Sequence, residues 1–388
     1  MGRVEVREVQ GRRGIREFVA AQAPLYAHDP NYAAPPDFYL ARRLDPTREP
    51  FWAHAERGLF VARRGRRAVG RVAAIANHLH NGTWHDRVAF FGLFECEDDC
   101  ETAAALLDLA AAWARDRGYD ALRGPVNFSV HDEIGLLVHG FDRPPRVMMP
   151  YNAPYHGALL EAAGCRRLKD LVAYDWTYTE MPAPPAALER RAARGWTAGR
   201  AILRQFDRGR LAEETVRFRA VYNAAFAGSW GFVPITAEEA LAMVADFARF
   251  GDPRLCWLAE VDGEPAGFLL MLPDVNQGFH ALRRGFPALR PFRAAAALWA
   301  PRAVRVVTLA IDPRFRRLNL AGHLVVKAWR QAVGQGIRVA EFSYVDEDNA
   351  NMNGMLRRMG CHVSKRYRIY ERPLASTSTA SAAAGTVR

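Results

Sequence analysis

Lysine is almost absent from this chain of 388 residues. It stands only at Lys169, Lys327 and Lys365, so arginine carries nearly all of the 53 basic side chains. Against 42 acidic residues, that leaves a formal net charge of +11. Such a surplus points to anionic partners: CoA, a membrane surface or nucleic acid. The preference for arginine over lysine also fits a GC-rich bacterial genome. Cysteine is scarce, and Cys96, Cys100, Cys165, Cys256 and Cys361 form neither a CxxC pair nor a zinc spacing. They read as reduced thiols in a cytosolic protein, with no disulfide framework and no metal site expected. No run of about 18 apolar residues occurs, which argues against a membrane-spanning helix. No secretory signal is read at the start, because Met1 to Val6 is strand-like and charged. Apolar residues, by contrast, make up half of the chain, enough for two domains of typical size.

The stretch from Val306 to Leu324 is the most informative. It reads as a buried strand, VVTLAI, bounded by Asp312-Pro313, then an arginine-rich loop, then a helix over about Leu320 to Val333. Backbone N–H groups, the positive end of a helix dipole and guanidinium forks together suit a pyrophosphate. An ordinary strand-to-helix turn with solvated arginines would look the same. Arg316-Arg317-Leu318-Asn319-Leu320-Ala321 nevertheless resembles the Q/R-x-x-G-x-G/A pyrophosphate loop of GCN5-related N-acyltransferases, the GNAT superfamily. The first glycine of that pattern is Asn319 here, and asparagine tolerates left-handed backbone better than most residues.

A second stretch, Asn349 to Cys361, resembles the family's next motif, an Asn followed by a helix and closed by Gly-Phe. Asn349 and Gly360 align, whereas the usual tyrosine, a proposed acid for the leaving thiolate, falls on Leu356. The resemblance implies an acyl-CoA co-substrate held by Ala310, Ile311, Arg316, Arg317, Leu318, Asn319, Leu320, Ala321, Gly322 and Asn349. Backbone N–H at Ile311 would polarise the thioester carbonyl.

The order of elements is β, α, β-β hairpin, β, α, β, α, β up to about Tyr178, and it then repeats. The expected fold class is therefore α/β (α+β): two tandem GNAT-like domains, each a mixed, mostly antiparallel sheet flanked by helices. The expected division is 1–180, a linker at 181–194, 195–373 with an insertion at 273–305, and a disordered tail at 374–388. The proline- and aromatic-rich segment from Asn31 to Trp52 reads as an irregular lid. Where the first half should carry its phosphate loop it has Glu95, Glu97, Asp98 and Asp99, which favour a helix start and repel pyrophosphate. That half reads as a degenerate partner domain. The insertion mixes Phe279, Phe286, Phe292 and Trp299 with arginines and no acid after Asp274, the composition of a segment lying on an anionic bilayer. A core-packing helix with arginines outside is the other reading. Single-stranded nucleic acid could use the same mixture, but the fold gives it little support and no nucleic-acid partner is expected.

Thioester aminolysis needs a neutral amine, a polarised carbonyl and a proton for the thiolate. His131 and Glu133 in Asn127 to Glu133, Asp274 at the end of a hairpin strand, and Glu341 and Tyr344 on the strand beside the phosphate-loop strand are the candidate groups. Strand alternation puts Glu341 and Ser343 on one face and Tyr344 on the other. A glutamate on an inner strand is either paired with arginine or functional.

Gly124-Pro125-Val126-Asn127, His131 to Val138, Tyr151 to Tyr155, Pro273 to Asn276, Glu341 to Asn349 and Lys365 to Tyr370 together resemble a group of bacterial tandem-GNAT proteins. That group includes the bacterial ceramide synthases. The resemblance implies transfer of a long-chain acyl group to the amine of a sphingoid base, sphinganine or 3-ketosphinganine. It also implies a cytoplasmic enzyme peripheral on the inner membrane. An aminoacyl-tRNA-dependent transferase of the peptidoglycan-bridge type, and a non-catalytic sensor or scaffold, are the alternatives.

Overall fold

Gly65 and Gly263 both lie at positive φ (59° and 82°), and each closes a hairpin at the same place in one half of the chain. The computed structural model describes residues 2–33, 36–178, 183–194, 200–283 and 287–374. Residues 181–182 of the expected linker, and the expected tail from 375 onward, lie outside them. The first half runs β1 (Glu5–Glu8), α1 (Gly11–Ala20), α2 (Asp37–Arg43), β2 (Ala55–Arg64), β3 (Arg67–Asn77), α3 (His78–Trp84), β4 (Val88–Cys96), α4 (Cys100–Arg115), β5 (Ala121–Gly124), β6 (Leu136–His139), α5 (His156–Ala162) and β7 (Arg166–Thr177). The second runs α6 (Ala186–Arg194), β8 (Ala201–Gln205), α7 (Leu211–Phe226), α8 (Ala237–Phe250), β9 (Cys256–Val261), β10 (Glu264–Pro273), α9 (Asn276–Arg283), α10 (Arg290–Trp299), β11 (Ala303–Ile311), α11 (Leu320–Gly334), β12 (Val339–Asp346), α12 (Ala350–Arg358) and β13 (His362–Pro373).

The strands form one mixed sheet in the order β1-β2-β3-β4-β5-β13-β7-β12-β11-β10-β9-β8, with β6 on β13. Among the described residues only β4–β5 and β11–β12 pair in parallel, at equivalent places in the two halves. The repeat read from the sequence is therefore present, but the halves exchange their closing strands. β13 lies against β5 of the first half, and β7 lies against β12 of the second. The two then pair with each other along most of their length.

Local chemistry sets the helix ends. Asp99 caps α4 by accepting from the Thr102 N–H at 2.8 Å. Thr236 and Glu239 form a reciprocal capping box on α8. The segment expected to be an irregular lid is instead packed: it contains α2 and a short 3₁₀ turn, and Leu44, Phe51 and Trp52 join the first core cluster. Part of the expected linker is helical, since α6 packs on α11. The insertion forms a helical hairpin. A Cβ on Gly278 of α9 would meet the Leu298 side chain of α10 at 2.7 Å, so glycine allows these helices their close approach.

Because β13 serves both halves, its core residues should report on the whole sheet. Tyr367 is fully buried and stacks edge-on against Tyr344 at 5.5 Å. Tyr367→Ala should destabilise the protein by about 3–5 kcal/mol. Denaturant unfolding should remain a single transition by both near- and far-UV circular dichroism; two separated transitions would show that the halves unfold independently.

Candidate active site

β11 and β12 stay paired only from Ala303–Val339 to Val306–Phe342 and then part. The β10 register slips at the same place, matching Leu270 to Thr308 and Met271 to Val306, so Val307 is a bulged extra residue. Beyond it, β11 leaves the edge facing β12 unpaired. The gap opens into a cleft of about 350 Å³ between β11, the loop after it, the end of α7 and the start of α12.

Five of the residues expected to hold the cofactor line this cleft: Ile311, Arg316, Asn319, Ala321 and Asn349. The others support it. Ala310 faces the opposite side of the strand, in a core cluster with Phe268, and Leu320 is buried beneath the loop. Leu318 and Gly322 are half-buried, and Arg317 is exposed. The loop is a 3₁₀ turn, Pro313–Leu318, started by the Asp312 carboxylate, which accepts from the Arg314 N–H at 2.8 Å. It ends on Asn319 in the left-handed region (φ 53°, ψ 29°), immediately before α11. The glycine position of the family pattern thus keeps a glycine-like backbone. Arg316 is steadied by the Ala225 carbonyl at 3.1 Å and remains exposed.

Helix α12 begins with the Asn349 side chain accepting from the Met352 N–H at 3.0 Å. It turns Met352 and Met355 to the cleft, while Leu356 is fully buried in the core of the second half. α12 therefore brings no proton donor of the tyrosine kind to this opening.

On the other face of the splay, three of the five candidate catalytic residues, Glu341, Tyr344 and Asp274, belong to one buried polar network centred on Arg305. Its Nε donates to Ser343 Oγ at 3.0 Å, its Nη2 to the Ser343 carbonyl at 3.0 Å, and its Nη1 to the Met148 carbonyl at 2.8 Å. Ser343 Oγ in turn donates to Glu341, so these two share a face as expected. Tyr344 does not take the opposite face. Arg305 stands over its ring at 5.3 Å, and its hydroxyl accepts from the Ile134 N–H at 3.0 Å. The β12–β7 ladder is irregular between Phe342 and Val345, which breaks the simple alternation.

Glu341 is only 1% exposed and lies 3.8 Å from Lys365 Nζ. Burial raises its pKa against the pull of Lys365, and burial lowers that of Lys365. Asp274 is equally enclosed. It accepts from Arg146 at 2.9 Å and the Val147 N–H at 3.0 Å, tying the insertion to the first half. Glu133 is half-buried, accepts from Asn127 at 3.1 Å and has its pKa raised by burial. His131 stands apart from this network, between Tyr222 Oη at 3.0 Å and the Val233 carbonyl at 2.8 Å. Tyr222 was not singled out from the sequence; an isolated tyrosine on an amphipathic helix carries no signal there.

The counterpart of the phosphate loop in the first half is filled by its own side chains. Arg64 binds Glu97 and Asp99, and Arg67 binds Glu97. Glu95 turns inward to Tyr26 and Gln22, and burial pushes its pKa up to about 7. Among the described residues, no group of three or more His, Cys, Asp or Glu side chains is placed to hold a metal ion.

With this geometry in hand, similarity to known proteins is decisive. The model of the acetyltransferase (GNAT) family matches residues 216–361, which span the cleft. A protein of Caulobacter vibrioides named bacterial ceramide synthase is 34% identical over 370 residues, 93% of this chain and 95% of its own. The chain belongs to the GNAT family. Protein YghO of Escherichia coli is 30% identical over 378 residues, 95% of each chain. Among solved structures, a tandem GNAT protein from the clavulanic acid biosynthesis pathway superposes with a TM-score of 0.59 at 14% identity. It covers 96% of this chain and 99% of its own. A GCN5-related N-acetyltransferase from Sphaerobacter thermophilus gives 0.53 at 16% identity, covering 96% of each chain. These two likenesses establish the tandem fold, and this GNAT protein is an acyltransferase.

The left-handed residue at the loop's end gives a direct test. Asn319→Gly should fold with an unchanged or slightly higher Tm. Asn319→Val, forcing a β-branched side chain into that conformation, should cost roughly 1–2 kcal/mol. Equal Tm values for the two variants would contradict the left-handed assignment.

Proposed function

We propose that this acyltransferase moves a long-chain acyl group from acyl-CoA to the amine of a sphingoid base, sphinganine or its 3-keto form, giving a ceramide. The observation that carries the donor side is the cleft, where an unpaired strand edge, a left-handed loop end, the start of α11 and Arg316 meet. Helix-start N–H groups and a guanidinium suit a pyrophosphate, and the free edge of β11 offers N–H groups to a thioester carbonyl. The acceptor class is supported by similarity over 93% of this chain to the Caulobacter protein named bacterial ceramide synthase.

The α9–α10 hairpin supports a lipid acceptor. No acidic residue occurs between Asp274 and Asp312. Trp299 is 91% and Phe292 74% exposed, with Leu289 and Leu298 also exposed and Arg293 and Arg302 nearby. Exposed rings among cations suit the headgroup region of an anionic bilayer, here the cytoplasmic face of the inner membrane. No helix among the described residues is long and apolar enough to cross a membrane.

Mass spectrometry after incubation with palmitoyl-CoA and a panel of sphinganine, 3-ketosphinganine, a polyamine and amino acids should reveal an N-acyl sphingoid product. Acylation of a small soluble amine alone would overturn the lipid acceptor, and no CoA release with any amine would overturn the donor. Changing both Arg316 and Arg317 to alanine should raise KM for palmitoyl-CoA by about tenfold to a hundredfold. Phe292→Ala with Trp299→Ala should weaken co-sedimentation with anionic vesicles by at least about tenfold, with the Tm unchanged.

A further inference from the structure

Acyl transfer to an amine must carry one proton away from nitrogen and deliver one to sulfur, and α12 offers the cleft only methionine and asparagine. Tyr222 lies on α7, one helical turn before Phe226 and three residues before Ala225, both of which line the cleft. Its ring lies against Phe268 with centroids 6.5 Å apart, and Phe268 is the β10 partner of Ala310. The phenol is half-buried on the Ala310 face of that strand, one turn along α7 from the cleft lining rather than within it.

Its hydroxyl is 3.0 Å from Nδ1 of His131, which comes from the other half of the chain. The Nε2 of that ring is 2.8 Å from the Val233 carbonyl. A carbonyl only accepts, so Nε2 carries the proton and Nδ1 the lone pair, and the Tyr222 hydroxyl donates to it. The neighbouring charges are engaged elsewhere. Asp132 on the same turn is bound by Arg43 at 2.7 Å, and Glu239 of α8 is bound by His54 at 3.0 Å. Burial holds the imidazole below its ordinary pKa, against the pull of Asp132 and Glu239, which keeps it neutral near pH 7.

We propose that Tyr222 and His131 form the proton relay of the acyl transfer, with Tyr222 the catalytic residue and His131 the residue that positions it and briefly stores its proton. This rests on the acyl-CoA reading above. The neutral amine nitrogen attacks the thioester carbonyl carbon, forming the C–N bond. The nitrogen's proton passes to Tyr222 Oη while the phenolic proton moves to His131 Nδ1. As the C–S bond breaks, His131 returns a proton through Tyr222 to the thiolate. The products are the amide and CoA thiol, with both residues restored. The inwardly capped first half thus keeps a chemical task, because it supplies the ring behind the phenol.

The test compares wild type, Tyr222→Phe and His131→Gln with palmitoyl-CoA and the amine that the wild type acylates, between pH 5 and 9. Binding of the CoA ester is followed by calorimetry. Both variants should lose roughly a hundredfold in kcat, while KM and CoA-ester affinity stay within about threefold of wild type. The wild type should lose activity below the ordinary histidine pKa as His131 protonates, and both variants should lack that acid limb. A kcat within about threefold of wild type for Tyr222→Phe overturns the relay. So does a slow His131→Gln that keeps the acid limb, which would mark a structural role. Should His131→Gln fail to fold, Tyr222→Phe decides alone. A wild type that releases no CoA with any amine overturns the acyl-CoA reading and the relay with it, whereas an active wild type with fast variants removes only the relay.

Discussion

One buried guanidinium holds the splay open. Arg305 sits at the second-to-last register pair before β11 and β12 part, and it is only 4% exposed. A charge there is tolerable only if its donors are satisfied. They are met by both oxygens of Ser343 and by the Val147 and Met148 carbonyls, with the Tyr344 ring under the guanidinium face. The acceptors on one side belong to β12, and those on the other belong to a strap from the first half of the chain. The same side chain therefore pins the strap and takes as its acceptor the Ser343 carbonyl, just past the last β12 residue paired with β11. Asp274 and Lys365 bind the same strap, at the Val147 N–H and the Pro144 carbonyl. The cleft on one face and the polar network on the other share this fastening.

The exchange of closing strands gives the fastening its mechanical sense. Had each half kept its own last strand, the halves would meet only through side chains, and domain motion would be the default. With β13 beside β5 and β7 beside β12, the backbone ladders run through the junction. The first half is therefore a wall at a fixed distance from the splay. At its counterpart of the arginine-rich loop, Arg64 and Arg67 bind its own carboxylates. It has kept the turn around His131, held against α7 and the Val233 carbonyl.

What the sequence disclosed is what local periodicity and turn chemistry encode. The helix expected over about Leu320 to Val333 runs Leu320–Gly334, because apolar spacing at helical period is a local signal. The phosphate loop was legible down to the left-handed Asn319, because only a few residue types tolerate that backbone. Partners distant in sequence were not legible. Nothing in residues 362–373 reveals that they pair with the first half, since period-two alternation has no address. Tyr344 defied alternation because the ladder is irregular beside it, and irregularities leave no residue signature. A carboxylate on a strand looks the same from the sequence whatever it faces, so the Arg146 partner of Asp274 and the Lys365 neighbour of Glu341 left no signal.

Leu356 and Asn319 look from the sequence like two losses of function, and the structure separates them. Asn319 holds the left-handed backbone expected of the glycine it replaces in the family pattern. Leu356 is not an emptied catalytic position but a core one. Asn349 caps the helix, and Asn353 is fixed by the Tyr174 hydroxyl at 2.8 Å, which sets the rotation of α12 so that residue 356 points into the core. A proton for a leaving thiolate therefore has to come from another element or from water. α7, which lines the opposite wall with Ala225 and Phe226, is the element whose next turn carries a phenol.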